Sequence, residues 1–332
     1  MDKALIIKDR VYGEWHVSDP LALSLIQLPQ FQRLYKVGQY GSYWFGIPEA
    51  DVNRAEHSLG VYNLTRYFGA SREEQIAALL HDISHTTFSH VIDYLHGDPT
   101  TQEHQDNSHL SVMRQNAISS LLEGDGFDYV KLADLELYHL LERELPDLCC
   151  DRLDYFLRDS ICYNEISSIE AQGILSHITI FDSTLVVDDP DVGRFISKHS
   201  LEMTKKYWAP PFGNFMFERL AEALRRAIEN KVISDDDFYT TDFEVWDKLK
   251  ASGDEYILRR ISDIENIKTL KMCLDTENYD YYLQGKFRPI DPPVLFNNVL
   301  RRATDIFPEL AKTIAFERER FNKGFYLRVV RG

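Results

Sequence analysis

The chain has 332 residues, 44% of them apolar and 27% charged, which allows one large domain or a main domain with a smaller lobe and excludes general disorder. Its 53 acidic against 37 basic side chains give a formal net charge of −16, a surface that repels duplex nucleic acid while leaving room for a local basic pocket. No run of about 18 apolar residues could span a bilayer. The opening MDKALIIKDRVYGEW lacks a signal peptide's apolar stretch. Cys149, Cys150, Cys162 and Cys273 form no C-x-x-C pair, so a cytoplasmic protein with reduced packing cysteines and no membrane contact is expected.

In chain order, SDPLALSLIQLPQFQRLYKV has apolar residues at Leu21, Leu23, Leu25, Ile26 and Leu28, and predicts a helix that breaks at Pro29 and restarts at Gln30. In NRAEHSLGVYNLTRYF, Asn53 followed by Glu56 reads as a capping box for a helix carrying His57 in its first turns. REEQIAALLHDIS sets Ile76, Leu79, Leu80 and Ile83 at the i, i+3, i+4, i+7 spacing of one apolar face, with His81 and Asp82 at its C-terminal end. Helices are also predicted over FSHVIDYLH and PDLCCDRLDYFLRDSI. Further on, ITIFDSTLVV predicts a hairpin turning at Asp182-Ser183, MFERLAEALRRAIENKVI a helix and GFYLRVV a strand. The expected fold is mainly α: a helical core over residues 1–170, with a smaller mixed α/β lobe over 171–332 packing on it.

Histidine is distributed unevenly, with seven of the eleven lying between His57 and His109. Imidazole is the commonest metal ligand and the side chain most easily poised as an acid or base near neutrality. Any one of these histidines, taken alone, is explained as well by a core position satisfied through a backbone carbonyl. The adjacent pair His81-Asp82 is harder to explain that way. Neighbouring helical residues point about 100° apart and can hold an ion at a helix end from two sides. Nitrogen and oxygen donors without a thiolate suit a borderline or hard divalent cation. Asp151, Tyr155 and Asp159 recur every four residues and line one helix stripe, which reads either as a polar wall or as a solvated face with Arg152 and Arg158 as surface partners.

One His, then a His-Asp pair, then a distant Asp resembles the HD-domain superfamily of metal-dependent phosphohydrolases, and within it the deoxynucleoside triphosphate triphosphohydrolase branch. The stretches that carry the likeness are LPQFQRLYKVGQYG, NRAEHSLGVYNL, LLHDISHTTFSHVID and CDRLDYFLRD, across roughly residues 8–165. The resemblance implies an HD-domain helical core. It also implies one divalent ion (Mn, Fe, Mg, Co or Ni) held by His57, His81, Asp82 and Asp151, and a histidine-carboxylate network of His85, His90 and Asp93. A further active-site histidine is implied at either His109 or His104, HLSVM favouring His109. Arg54, Arg152 and Tyr155 take phosphate and nucleotide contacts by the same likeness, and Gln39 and Asp159 sugar contacts. Arg152 stands where the branch has Lys, and Ser84 where a glycine is usual.

The branch's Tyr-x-His-Lys stretch corresponds to KKYWAPPFGN here, where Tyr207 or Trp208 could stack on a base and Lys205 or Lys206 meet a phosphate tail, but the motif's His and Lys are absent. The implied activity is hydrolysis of a small phosphorylated substrate, a nucleotide and in particular a (d)NTP, by metal-activated water with His/Asp assistance. Two alternatives remain open: a phosphodiesterase acting on cyclic or oligonucleotides, and a non-catalytic nucleotide sensor. Relatives of this kind often assemble, so a homo-oligomer is a further expectation. No G-x-x-x-x-G-K-[ST], G-x-G-x-x-G or G-x-S-x-G motif points elsewhere.

Overall fold

The computed structural model describes residues 4–330, and helices dominate it as expected. Asp19 caps helix Pro20–Gln27 by accepting from the amides of Leu21 and Ala22, with Pro20 at the first turn where its missing N–H costs nothing. Leu28 then turns extended, and Pro29 opens a short second turn. Helix Arg54–Tyr67 is capped by Asn53, which accepts from the Glu56 amide. Glu56 does not return the bond, because Arg10 and Arg158 take its carboxylate. An ion-pair network therefore displaces half of the predicted capping box.

Helix Arg72–Leu80 ends at His81, short of Ile83, the last residue of the predicted apolar face. The next helix is Val91–His96 and begins later than predicted. Phe88 and Ser89 hold φ of 59° and 47°, a left-handed backbone that an α-helix cannot include. Helix Cys150–Cys162 likewise starts at Cys150 rather than at Pro146.

The sheets are small. An N-terminal hairpin of β1 (Leu5–Asp9) and β2 (Gly13–Val17), which the sequence reading did not anticipate, sets Leu5 opposite Val17. The predicted hairpin forms from β3 (Ile178–Phe181) and β4 (Thr184–Val187). Asp182 and Ser183 both have positive φ, the two-residue turn whose twist suits paired strands. Strands β5 (Met272–Leu274) and β6 (Tyr281–Leu283) flank the predicted C-terminal strand, and β7 (Pro293–Phe296) with β8 (Val299–Arg302) extends the β3-β4 sheet. That C-terminal strand is β9 (Phe325–Val329), the centre of its own sheet.

Two apolar cores result. One packs Leu25, Phe31, Leu64, Leu79 and Phe156 beneath the His-rich segments. The other is built on helix Pro211–Glu229 and helix Glu255–Glu265, and it draws in Tyr43, Val52, Phe88 and Val91 from the N-terminal half. Asp242, fully buried at the start of helix Asp242–Ala251, ties the halves together. Its carboxylate accepts from the Gly38 amide at 2.8 Å and the Phe88 amide at 2.7 Å. Asp242→Ala strands both buried amides and is expected to cost about 1–3 kcal/mol for each. The urea midpoint should fall accordingly, and an unchanged midpoint would show that the tie is dispensable.

Candidate metal centre and its cavity

Three separated segments bring His57, His81, Asp82 and Asp151 together. The His81 Nδ1–H donates to the Ala78 carbonyl at 2.8 Å, and His57 Nδ1–H to Asp154 at 2.7 Å, so both rings turn Nε2 inward. Those two nitrogens stand 3.2 Å apart, a spacing that two imidazoles have when each lies about 2.1 Å from one ion. Asp151 Oδ1 is 2.8 Å from His57 Nε2 and 3.5 Å from His81 Nε2. Asp82 sits at the edge, 3.5 Å from His81 Nε2 and 3.9 Å from His57 Nε2, shared with Arg54 at 2.9 Å and His85 at 3.2 Å. Even without Asp82, the donor atoms of His57, His81 and Asp151 lie close enough together to hold a metal ion, and the mixed nitrogen and oxygen donors suit a divalent one.

The charges agree. Burial opposes a charge on His57, but the carboxylates of Asp151 and Asp154 outweigh it and push the imidazole up to about 10. Burial likewise opposes the Asp82 carboxylate, yet Arg54, His81 and His85 hold it well below the usual range. The cluster sets carboxylates against imidazoles, a donor set able to take a cation.

Asp154, which the sequence reading missed, stands directly behind His57. Its carboxylate, fully buried, orients His57 and also accepts from Arg158 Nε at 2.8 Å and from the Tyr12 hydroxyl at 2.8 Å. Arg158 is buried among Asp154, Asp9 and Glu56, so the solvated-face reading of this helix is wrong. A carboxylate that fixes a metal-binding histidine is a usual companion of such sites. The available signal was its position three residues after Asp151, one helical turn on.

Beside the cluster opens a cavity of about 930 Å³, lined among others by His81, Asp82, His85, His90, His109 and Asp151. The three histidines other than His81 are kept neutral. Burial, with Arg54 adding to it, pushes His85 down to about 4, and burial pushes His90 to about 3 and His109 to about 4. His85 and His90 meet edge to face with ring centroids 5.1 Å apart, and His90 Nδ1 is 3.3 Å from Asp93. His109 Nδ1 is 3.0 Å from the Ser84 hydroxyl, and its buried Nε2 has no partner. His104 does not line the cavity; its amide donates to Asp93. Of the two open positions, His109 is therefore the one placed at the cavity.

Gln39, Arg54, Arg152, Tyr155 and Asp159 all line the cavity. Arg54 also donates to Asp82 and to Ser89. Arg152 is folded back onto Glu142 and the carbonyls of Asp147 and Arg143. Lys206 lies outside: its ammonium is half exposed and pairs with Glu165 at 3.1 Å, while Tyr207 and Trp208 of the same turn reach the cavity. Two cations from the C-terminal half, Lys286 and Arg288, line it instead. In sequence they sit in QGKFRPI, which carries no helical or strand periodicity to mark it.

A helical core with a His/Asp cluster facing a cavity defines a class, and the comparisons agree. The HD domain family model matches residues 54–159. The metal-dependent phosphohydrolase cns2 of Cordyceps militaris is 33% identical over 300 residues, covering 88% of this chain and 86% of that one. The deoxynucleoside triphosphate triphosphohydrolase SAMHD1 of Bos taurus is 38% identical over 109 residues, 28% of this chain and 18% of that one. A solved phosphohydrolase structure from Bacteroides thetaiotaomicron superposes with a TM-score of 0.72 at 19% identity, covering 98% of this chain and 100% of that one, a likeness of fold. The chain belongs to the HD-domain family of metal-dependent phosphohydrolases. Among its described residues, no helix is long and apolar enough to cross a membrane.

Since a proton on His57 competes with a cation, and that proton is held up to about pH 10, apparent metal affinity is expected to rise by about tenfold per pH unit between roughly pH 6 and 9. Asp154→Asn should weaken binding by about 10–100-fold and flatten the slope by lowering the basicity of His57. Chelator competition across pH measures both; a pH-independent affinity would contradict the assignment of His57.

Proposed function

We propose that the protein hydrolyses phosphate esters of nucleotides, with nucleoside and deoxynucleoside triphosphates the leading class. The observation that carries this reading is the row of neutral imidazoles, His85, His90 and His109, facing the same cavity as the His/Asp cluster. A divalent ion that acidifies a bound water and unprotonated imidazoles that can take its proton are a combination suited to hydrolysis.

In this account His57, His81, Asp82 and Asp151 would hold the divalent ion, which would supply Lewis-acid chemistry at a phosphoryl group and a nearby water. His85, with Nε2–H directed at Asp82 3.2 Å away, keeps Nδ1 as its basic nitrogen. His90, with Nδ1–H toward Asp93, keeps Nε2, and His109 offers its unpartnered Nε2. Each of these nitrogens can accept the proton of the attacking water, and the imidazolium so formed can pass that proton to the departing oxygen. Arg54 keeps Asp82 ionised and presents positive charge at the edge of the cavity.

Support for a nucleotide comes from the other side of the cavity. Tyr40, Tyr43, Tyr155, Tyr207 and Trp208 supply planar apolar surface. Among them the Tyr40 hydroxyl and the Asp159 carboxylate face each other, while Gln39 Oε1 is buried without a partner. A buried unpartnered carbonyl oxygen in a cavity wall suits a ligand carrying a hydroxyl or amide donor. The stretch shared with the named triphosphohydrolase favours a triphosphate.

The test is a screen of nucleoside mono-, di- and triphosphates, cyclic nucleotides and oligonucleotides with Mn²⁺, Mg²⁺, Fe²⁺ and Co²⁺, products identified by mass. Turnover of nucleotides is expected, lost together with bound metal in Asp151→Ala. His85→Ala should keep the metal and lower kcat by about 10²–10⁴-fold. Metal-loaded protein that releases nothing from the panel would refute the reading, and products of diester cleavage alone would replace it with a phosphodiesterase.

A further inference from the structure

The segment between β6 and β7 runs past the cavity without regular structure, yet it is fastened along its length. The Tyr94 hydroxyl donates to the Gln284 carbonyl at 2.9 Å, and the Ile290 amide donates to the Ser200 hydroxyl at 2.9 Å. Gly285 lies so close to the buried Asn214 amide that a Cβ there would come within 2.8 Å of it. Arg288 is hydrogen-bonded to Gln102. Such anchoring fixes the backbone that carries residues 286 and 288 beside the cavity, leaving little main-chain freedom to lose on binding.

The cations of the cavity wall are not equivalent. Arg54 is committed to Asp82 and Ser89, Arg143 to Asp147, and Arg152 to Glu142 and backbone carbonyls. Lys286 makes neither a hydrogen bond nor a close ion pair; the charges around it, Arg288, Asp106, Glu142 and Arg152, act only at longer range. Burial and the neighbouring Arg288 push its ammonium down to about 8, the environment of a cation that lacks a counter-charge. Arg288 is near enough for its charge to bear on His90 and Tyr155. In a chain with a net charge of −16, two neighbouring cations that line the cavity, one of them without a close counter-charge, call for an anion.

We propose that Lys286 and Arg288 form a second anion subsite that holds the non-reacting phosphates of a polyphosphate substrate, so that the cavity selects for chains of phosphates over a single one. The inference rests on the phosphohydrolase reading and deepens it. One phosphoryl group is taken at the metal cluster beside Arg54, and the segment from the C-terminal half grips the rest of the tail. Arg288 offers a planar fork and Lys286 a mobile point charge, the two kinds of donor that phosphate oxygens accept well. Because the subsite belongs to a different part of the chain from the ligands, substrate length is read separately from the chemistry.

The test uses the metal-loaded full chain and titrates inorganic tripolyphosphate and orthophosphate by calorimetry. The wild-type protein is expected to prefer tripolyphosphate. Lys286→Gln and Arg288→Gln should each weaken tripolyphosphate binding by about tenfold or more and orthophosphate binding much less, collapsing the preference, and Lys286→Arg should restore most of it. Lys248→Gln, which removes an exposed cation paired with Asp237, serves as the charge control. Metal content and thermal midpoint are recorded for each variant. The proposal is overturned if the wild type shows no preference, if the variants stay within about twofold of it, or if both anions weaken by the same factor. A lowered midpoint with unchanged anion binding also overturns it, by making the pair structural. Failure of the parent reading looks different: tripolyphosphate binding that depends on Lys286 and Arg288, with no turnover of any nucleotide, would sink the hydrolase and leave the subsite standing.

Discussion

The centre depends on one buried contact, His57 Nδ1 to Asp154 at 2.7 Å. An imidazole has two nitrogens, and only a fixed partner on one of them decides that the other faces a cation. Asp154 is itself fixed by Arg158, whose guanidinium also reaches Asp9 on β1 and Glu56 on the helix that carries His57. The chain of contacts therefore runs from the N-terminal hairpin through three acids and one arginine to the ring that would bind metal. Gly60 belongs to it by having no side chain, since a Cβ there would overlap both the Asp154 carboxylate and the Arg158 guanidinium. Removing one member of so buried a set leaves an uncompensated charge, which typically costs about 3–5 kcal/mol. Folding stability and metal geometry are therefore coupled in the same side chains.

A second constraint shapes the loop that carries the histidine row. The apolar helix Arg72–Leu80 ends just before the His81-Asp82 pair, and the left-handed residues Phe88 and Ser89 reverse the chain so that His85 and His90 come face to edge. Asp242 holds that reversal from the other half of the molecule. The apolar run beside the metal-capable residues is thus the floor that fixes them. Their neutrality follows from burial in that floor, and it leaves each ring an unprotonated nitrogen able to accept a proton from water.

Much of this was legible in the sequence because it depends on local pattern. The cap at Asn53, the break at Pro29, the apolar face of residues 76–83 and the turn at Asp182-Ser183 are all decided within a few residues. The meeting of positions 57, 81, 82 and 151 was inferred from motifs in a familiar order, and the structure brings them together. What escaped depends on contacts distant in sequence. The partner of Glu56 comes from residues 10 and 158, so no window around position 56 could show that its cap would be half made. Lys206 looked available because its turn also carries Tyr207 and Trp208, but Glu165, 41 residues away, holds it outside. Lys286 and Arg288 lie in an irregular segment whose closeness to the cavity is a product of tertiary packing alone.

The most direct test of the account is diffraction from crystals grown with Mn²⁺ and measured for its anomalous signal. The account predicts one strong peak about 2.0–2.3 Å from Nε2 of both His57 and His81 and from carboxylate oxygens of Asp82 and Asp151. A metal-loaded crystal with no peak there, or with its only peak at other residues, would contradict it.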